Sequence, residues 1–260
     1  MANDPIIRVE ELTAKYGDNV VFDRVSFEVM RGEVFIILGG SGCGKSTMLK
    51  HMIGLYTPFA GRVRIQGDDI TRAEGEVRRR ILRRLGVMYQ SGALFGSMTL
   101  LENVRLPLEE FTDYPPEAMD AIAASKLRLV QLEGFEDYMP ADISGGMKKR
   151  AAIARAMALE PEILFLDEPS AGLDPITSAE LDATILRLSR TLGVTFVVVT
   201  HELPSIYTIA DRVIMLDKET KGIIATGTPA ELRDHCENDW VRRFFLRETA
   251  AGGEPEVRTT

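Results

Sequence analysis

Hydrophobic positions recur along the chain in two rhythms. Residues 6–30 alternate (Ile7, Val9, Leu12, then Val25, Phe27, Val29), which predicts antiparallel strands with one solvated face. EVFIIL (33–38) is apolar almost throughout, as in a strand buried on both faces, and a Gly-rich loop and a helix from about Ser46 follow it. EILFLDE (162–168) and VTFVVVTH (194–201) have the same continuous character. RVRIQG (62–67) and LGVMYQ (85–90) read as further strands, and DRVIMLD (211–217) with KGIIATG (221–227) as a closing hairpin.

Between these runs the period lengthens. A charged helix carries Arg78, Arg79, Arg80, Arg83 and Arg84, with Glu74–Arg78 and Glu76–Arg80 spaced as i,i+4 pairs. That spacing predicts a solvated face, with an anionic lipid contact as the lesser reading. Residues 98–140 read as mostly helical, punctuated by Pro107, Pro115, Pro116 and Pro140. DISGGMKKRAAIARA (142–156) reads as a helix start with Ser144 as N-cap, and 174–192 as a helix with Asp174 at the N-cap and Pro175 at N1. T-P-A-E (228–231) is a capping box. Strands alternating with helices predict an α/β fold whose mostly parallel core sheet is covered on both faces.

Composition narrows the class. The chain has 260 residues, 45% of them hydrophobic, enough for one large α/β domain or one domain with an insert. A net charge of −8 argues against a broad nucleic-acid-binding face. Two cysteines, Cys43 and Cys236, offer neither a disulfide framework nor a zinc cluster, as expected in a reducing cytoplasm. MANDPIIRVEELTAKYG lacks an apolar signal core, and no apolar run nears the ~20 residues of a membrane span. Work at a membrane would then need a spanning partner. The last dozen residues read as a loose tail.

The chemistry begins at GGSGCGKST, which fits G-x-x-x-x-G-K-[ST] between a buried strand and a helix. Gly39, Gly40, Ser41, Gly42, Cys43 and Gly44 bring backbone N–H groups to phosphates, Lys45 reaches the β- and γ-phosphates, and Ser46, followed by Thr47, offers its hydroxyl to Mg²⁺. ILFLDEP (163–169) delivers Asp167, a Mg²⁺ ligand, and Glu168, placed to polarise water. His201 ends an adjacent strand and suits contact with a γ-phosphate. Gln90 at another strand end suits Mg²⁺ or water. Tyr16 suits stacking under adenine, although a partly exposed aromatic is as common. His51 and His235 read as structural.

Together these motifs resemble the ATP-binding cassette (ABC) ATPase family over roughly residues 7–235. Tyr16 matches the aromatic A-loop, Gly39–Thr47 Walker A, Gln90 the Q-loop and Ser144-Gly145-Gly146 the signature. Asp167 and Glu168 match Walker B and its catalytic glutamate, Ser170–Asp174 the D-loop and His201 the switch histidine. The resemblance implies a P-loop NTPase of ABC type with an antiparallel β subdomain and a helical subdomain at about 91–158. The ATPase domain would span 5–246, and 237–260 would form an extension, a helix and then the tail. It also implies ATP and Mg²⁺ as cofactors and a homodimer in which each ATP lies between one copy's Lys45 and the other's Ser144. Lys148, Lys149 and Arg150 would then lie near that docking γ-phosphate.

YQSGALFGSMTLLENVRLPL, ISGGMKKRAAIARA, EPSAGLDPITS and GVTFVVVTHEL are most similar to the ATPase of Mla-type (MCE-associated) lipid transporters. Ile143 and Met147 replace the usual Leu and Gln of the signature, and Gly40 stands where many members carry Pro. The likeness implies integral membrane permease subunits, an MCE-domain protein and a small STAS-domain protein as partners, at the cytoplasmic face of the inner membrane. Ala93, Leu94, Phe95, Met98, Leu100 and Leu101 form an apolar patch, either core or a socket for a permease helix. Trp240, Phe244 and Phe245 suit a C-terminal helix docked on its own domain, or else a clasp on another subunit. The alternatives are a cassette serving amino acid or metal import, a soluble non-transport ABC protein, and a nucleotide-switched scaffold.

Overall fold

The computed structural model describes residues 4–248; the tail from 249 onward lies outside the described residues. In chain order the elements are β1 (Pro5–Tyr16), β2 (Asn19–Met30), β3 (Val34–Gly39), α1 (Lys45–Met52), β4 (Ala60–Ile65), β5 (Asp68–Asp69), α2 (Gly75–Arg83), β6 (Leu85–Met88), α3 (Leu100–Phe111) and α4 (Pro116–Leu129). There follow α5 (Gly145–Ala156), β7 (Ile163–Asp167), α6 (Pro175–Leu192), β8 (Thr195–Val199), α7 (Leu203–Ile209), β9 (Arg212–Leu216), β10 (Ile223–Gly227), α8 (Pro229–Asp234) and α9 (Asp239–Leu246).

Two sheets form. One is antiparallel, in the order β2-β1-β4-β5. The other runs β10-β9-β3-β8-β7-β6 and is parallel except at the β9–β10 hairpin. The continuous apolar runs are the central strands, and every residue of β7 and β8 is buried. Their side chains divide between two cores. Ile36, Leu38, Leu164, Leu166, Phe196 and Val198 face the one shared with α3, α4, α5 and α6. Phe35, Ile37, Phe165, Val197 and Val199 face the one shared with α1 and the antiparallel sheet. Alternation within a wholly apolar run therefore glues both layers to one sheet.

The capping signals behave as read. Asp174 accepts from the N–H groups of Ile176 and Thr177 at 3.0 and 3.1 Å, and Thr228 and Glu231 close a reciprocal capping box. Several expectations need correction. Pro107 lies inside α3 rather than ending it. The 62–67 strand stops at Ile65 and turns into the two-residue β5, which the pattern did not announce. Neither expected pair on α2 is made. Arg80 and Arg84 instead converge on Asp68 at 3.3 Å, Arg78 caps the Gly54 carbonyl, and Arg83 reaches the Phe111 carbonyl. An arginine beside a fixed carbonyl or carboxylate of another element outcompetes an exposed helical pair worth a few tenths of a kcal/mol.

The 91–101 segment is anchored from within. Asn103 is fully buried; its Oδ1 accepts from Phe95 N–H at 2.7 Å and its amide donates to the carbonyls of Phe95, Met98 and Thr99. Leu100 belongs to the core, whereas Phe95 is 50% exposed. The patch is thus part core and part surface.

α7 is held between α6 and α9. Ser205 on α7 lies beside Ser178 and the buried Asp182 on α6, and Tyr207 donates to the Phe245 carbonyl at 2.8 Å. Val241 and Phe245 are buried, so α9 docks on its own domain, as expected, while Trp240 stays 42% exposed. Burial pushes the Asp182 carboxyl up to about 6, against a hydrogen bond from Ser205 that pulls it down. A carboxyl whose pKa is raised by folding stabilises the fold below its unfolded value and loses that contribution as pH rises through the folded one. Urea unfolding at pH 4 and pH 6.5 will therefore show the native chain losing about 2 kcal/mol relative to Asp182→Asn. An identical pH dependence in the two proteins would exclude it.

Candidate functional site

The site forms where β3, β7 and β8 end side by side. β3 runs into the loop 40–44, and Gly39 and Gly44 adopt φ of 149° and 99°. A side chain at Gly39 would strike the Cys43 sulfur and the Leu216 carbonyl, both 2.4 Å from its Cβ. Only glycine lets the loop fold back this tightly. The N-terminus of α1, capped by Gly44 without a side-chain bond, leaves its first N–H groups open to an anion.

A cleft of about 460 Å³ collects Tyr16, Gly42, Gly44, Lys45, Ser46, Thr47, Gln90, Glu168 and His201. An adjoining hollow adds Asp167, again with Gln90. Lys45 Nζ donates to the carbonyls of Gly39 and Gly40 at 2.9 and 3.1 Å, holding the ammonium over the loop. Ser46 Oγ donates to Asp167 Oδ1 at 3.2 Å. Burial pushes the Asp167 carboxyl up, opposed by the Ser46 hydrogen bond and the charges of Lys50, Lys45 and Lys149. Two hard oxygens this close suit a small divalent cation such as Mg²⁺, whose charge would favour the ionised Asp167 against that desolvation. Tyr16 is 53% exposed, with its hydroxyl 3.4 Å from Thr47 Oγ1, so its ring is free to take a flat partner.

Glu168 sits just beyond β7 at φ 47°, a left-handed conformation that costs a non-glycine residue on the order of 1 kcal/mol. Its N–H donates to the Val199 carbonyl at 2.8 Å, and its carboxylate oxygens lie 2.9 and 3.0 Å from His201 Nδ1. The group expected to polarise water and the one expected at the γ-phosphate therefore engage each other. Gln90 and His201 each lie two residues beyond their strands, which end at Met88 and Val199, so both belong to loops. Of the two histidines read as structural, His51 is buried and 3.0 Å from the Tyr56 carbonyl, with its pKa lowered by burial, and His235 is exposed.

Ser144, Gly145 and Gly146 line neither hollow. Ser144 caps α5, accepting from Met147 N–H at 3.3 Å, and Ser144 and Gly145 are exposed. A Cβ on Gly146 would lie 2.2 Å from Thr177 Cγ2, so this glycine lets α5 abut the start of α6. In the segment Ser170–Asp174, Ser170 is buried and its hydroxyl has no hydrogen-bond partner among the described residues. Met147 is half-buried against the larger core, which explains an apolar residue in place of the usual Gln.

The cations of α5 differ from expectation. Lys149 is buried and turns to main-chain carbonyls of its own chain, Arg150 pairs with Glu180 at 3.2 Å, and Lys148 is half-buried. The sequence reading put Lys149 near the docking γ-phosphate and did not single out Lys50 beside Asp167; a helical wheel anchored on the buried alanines of α5 places Lys149 inward.

Phosphate loop, strand-end carboxylates and switch-like histidine on a mostly parallel sheet define a P-loop nucleotide-binding cassette. Residues 22–171 match the family model described as ABC transporter. The chain is 37% identical over 230 residues to the "intermembrane phospholipid transport system ATP-binding protein MlaF" of Haemophilus influenzae, covering 88% of this chain and 86% of that one. The Escherichia coli K12 protein of the same name is 38% identical, with 96% and 91% covered. The "probable ribonucleotide transport ATP-binding protein mkl" of Mycobacterium leprae is 39% identical, with 92% of this chain and 68% of that protein covered. Among solved structures, a dimeric ATP-binding cassette bound to ADP and Pi after hydrolysis superposes with TM-score 0.76 at 31% identity, covering 85% and 98%. cbiO1 of Clostridium perfringens, part of an ABC transporter complex, gives 0.79 at 30%, covering 94% and 96%. The chain belongs to the ABC transporter family. It is an ATPase, and its cofactors are ATP and Mg²⁺. No helix among the described residues is long and apolar enough to cross a membrane.

Cys43, expected at the nucleotide, points its side chain the other way. Its thiol is buried against Gly39, and burial pushes its pKa up. What Cys43 offers the loop is its backbone. Iodoacetamide will therefore label native Cys236 faster than Cys43, with or without ATP, and both at one rate in urea. Faster labelling of native Cys43 would contradict this packing.

Proposed function

We propose that this chain is the ATP-hydrolysing subunit of a transporter that moves phospholipid or a related lipid. It works as a homodimer on integral membrane permease subunits at the cytoplasmic face of the inner membrane, in the company of an MCE-domain protein and a small STAS-domain protein. The observation that carries the lipid reading is the similarity to the two MlaF proteins across most of both chains. A ribonucleotide cargo is the second reading, favoured by the mkl relative, of which the chain spans only 68%. Residues 5–246 are taken as the cassette, 91–158 as its helical part and 237–260 as the extension.

In this reading Tyr16 stacks on adenine. Gly39, Gly40, Ser41, Gly42, Cys43 and Gly44 cradle the phosphates through main-chain N–H groups, joined by Ser46 and Thr47 at the start of α1. Lys45 leaves the Gly39 and Gly40 carbonyls for the β- and γ-phosphates. Ser46, Asp167 and Gln90 hold Mg²⁺, which neutralises developing phosphate charge. Glu168 orients the attacking water, and His201 releases it by turning from the carboxylate to the γ-phosphate. Ser144, Gly145 and Gly146 of the second copy close over the same nucleotide, since within one chain they line neither hollow. Closing and opening of the dimer then moves the permease.

Two measurements test this. Glu168→Gln will hold an ATP-bound dimer, seen by size exclusion, with turnover down at least about a hundredfold, and Lys45→Ala will lose ATP binding or hydrolysis; normal turnover in Glu168→Gln removes the proposed role. Purification in detergent with identification of bound proteins and small molecules will recover a permease, an MCE-domain protein and phospholipid. Recovery with a solute-binding protein, or with nucleotide instead of lipid, will favour another cargo.

A further inference from the structure

Lys149 is a buried cation on the helix that starts at Ser144, yet its hydrogen bonds go to the other side of the molecule's chemistry. Its Nζ donates to the Gln90 carbonyl and makes a longer contact of 3.5 Å with the Glu168 carbonyl. Burying an ammonium is costly unless its donors are satisfied, so these carbonyls determine where it sits. The Glu168 carbonyl accepts from Ala171 N–H at 3.2 Å, and Lys149 adds a charged donor to it at 3.5 Å. The Glu168 backbone, in the left-handed region, is thus held by Val199 through its N–H and by Ala171 and Lys149 through its carbonyl. The orientation of that backbone sets where the carboxylate points.

A second cation of the same helix extends the grip. Arg155 forks onto the carbonyls of Gly92 and Ala93 at 2.9 and 2.8 Å. A Cβ on Gly92 would meet Ala152 Cβ at 3.5 Å, so the segment after Gln90 lies directly on α5. Three carbonyls of this segment, at Gln90, Gly92 and Ala93, are thus bound by one helix.

We propose that Lys149 is a positioning residue that locks Glu168 and Gln90 of one nucleotide site to the helix that presents Ser144 to the other. This rests on the reading of Glu168 as the water-orienting residue and of Ser144 as facing the partner copy's ATP. α5 cannot shift when Ser144 takes up a nucleotide without moving the two carbonyls that Lys149 holds. Nucleotide at one site is thereby felt as geometry at the other, a coupling in the thermodynamic sense. Lys149 touches neither substrate nor metal in this scheme. It acts through the main chain of residues that do.

The test uses the full chain and reads kcat, the Hill coefficient for ATP, and equilibrium binding of a fluorescent ATP analogue. Lys149→Met keeps the aliphatic stem and removes the donors. It will lower kcat at least tenfold and bring the Hill coefficients of both turnover and analogue binding towards 1. Lys149→Arg will restore kcat to within threefold, a rescue that lost packing alone would not give. Lys149→Met with kcat and Hill coefficient within twofold of the native chain overturns the proposal. Should Lys149→Met fail to fold, Lys149→Gln, which reaches one carbonyl at most, takes its place; equal kcat in the Gln and Arg variants then overturns it. Glu168→Gln measured in parallel separates the two failures. An inactive Glu168→Gln beside a normal Lys149→Met removes only the role of Lys149, whereas an active Glu168→Gln removes the hydrolytic reading and this proposal with it.

Discussion

The parallel pairing of β3 with β8 and of β8 with β7 is the constraint on which the rest depends. It puts the Ile37–Val199 and Asp167–Val199 pairs at the carboxyl end of the sheet. From that end the phosphate loop, Glu168 and His201 reach one cleft, and Asp167 the hollow that adjoins it. The pairing is stable because the three strands are apolar on both faces and each face has its own core to enter. A polar residue inside β7 or β8 would cost one of these layers as well as a hydrogen-bonded strand.

A second layer of organisation is polar and largely buried. Asn103 ties the 95–99 loop to α3, Lys149 and Arg155 tie the segment after Gln90 to α5, and Ser205 and Tyr207 lie between α6 and α9. Most of these bonds end on backbone carbonyls. A carbonyl has no rotamer to lose, so a buried cation or amide aimed at it specifies a loop's path at little entropic cost. These loops are thus fixed relative to particular helices.

Much of this was legible beforehand. Strand runs, the P-loop and the caps at Asp174 and Thr228 are local signals, in which residue type and spacing act within a few positions. The charged helix α2 does present a solvated face, as its pattern predicts, but its expected i,i+4 pairs give way because its arginines reach Asp68, Gly54 and Phe111, partners 12 to 28 residues away for three of the bonds. Pro107 was misread as punctuation because its lost donor is one bond in a helix held by tertiary packing. Cys43 belongs to the loop by motif, but its side chain is buried in the core, where its sulfur occupies the space that a side chain at Gly39 would need.

By itself the sequence determined which segments become strands and helices, and which residue types stand at the ends of the buried strands. Those outcomes follow from periodicity and from backbone chemistry that acts over a few residues. Only the tertiary structure decided that Glu168 and His201 face each other, that Lys149 turns inward to Gln90 and Glu168, and that Ser144 stands apart from the cleft. Each of these joins positions tens of residues apart, and it is the packing of whole layers, not spacing along the chain, that brings such positions together.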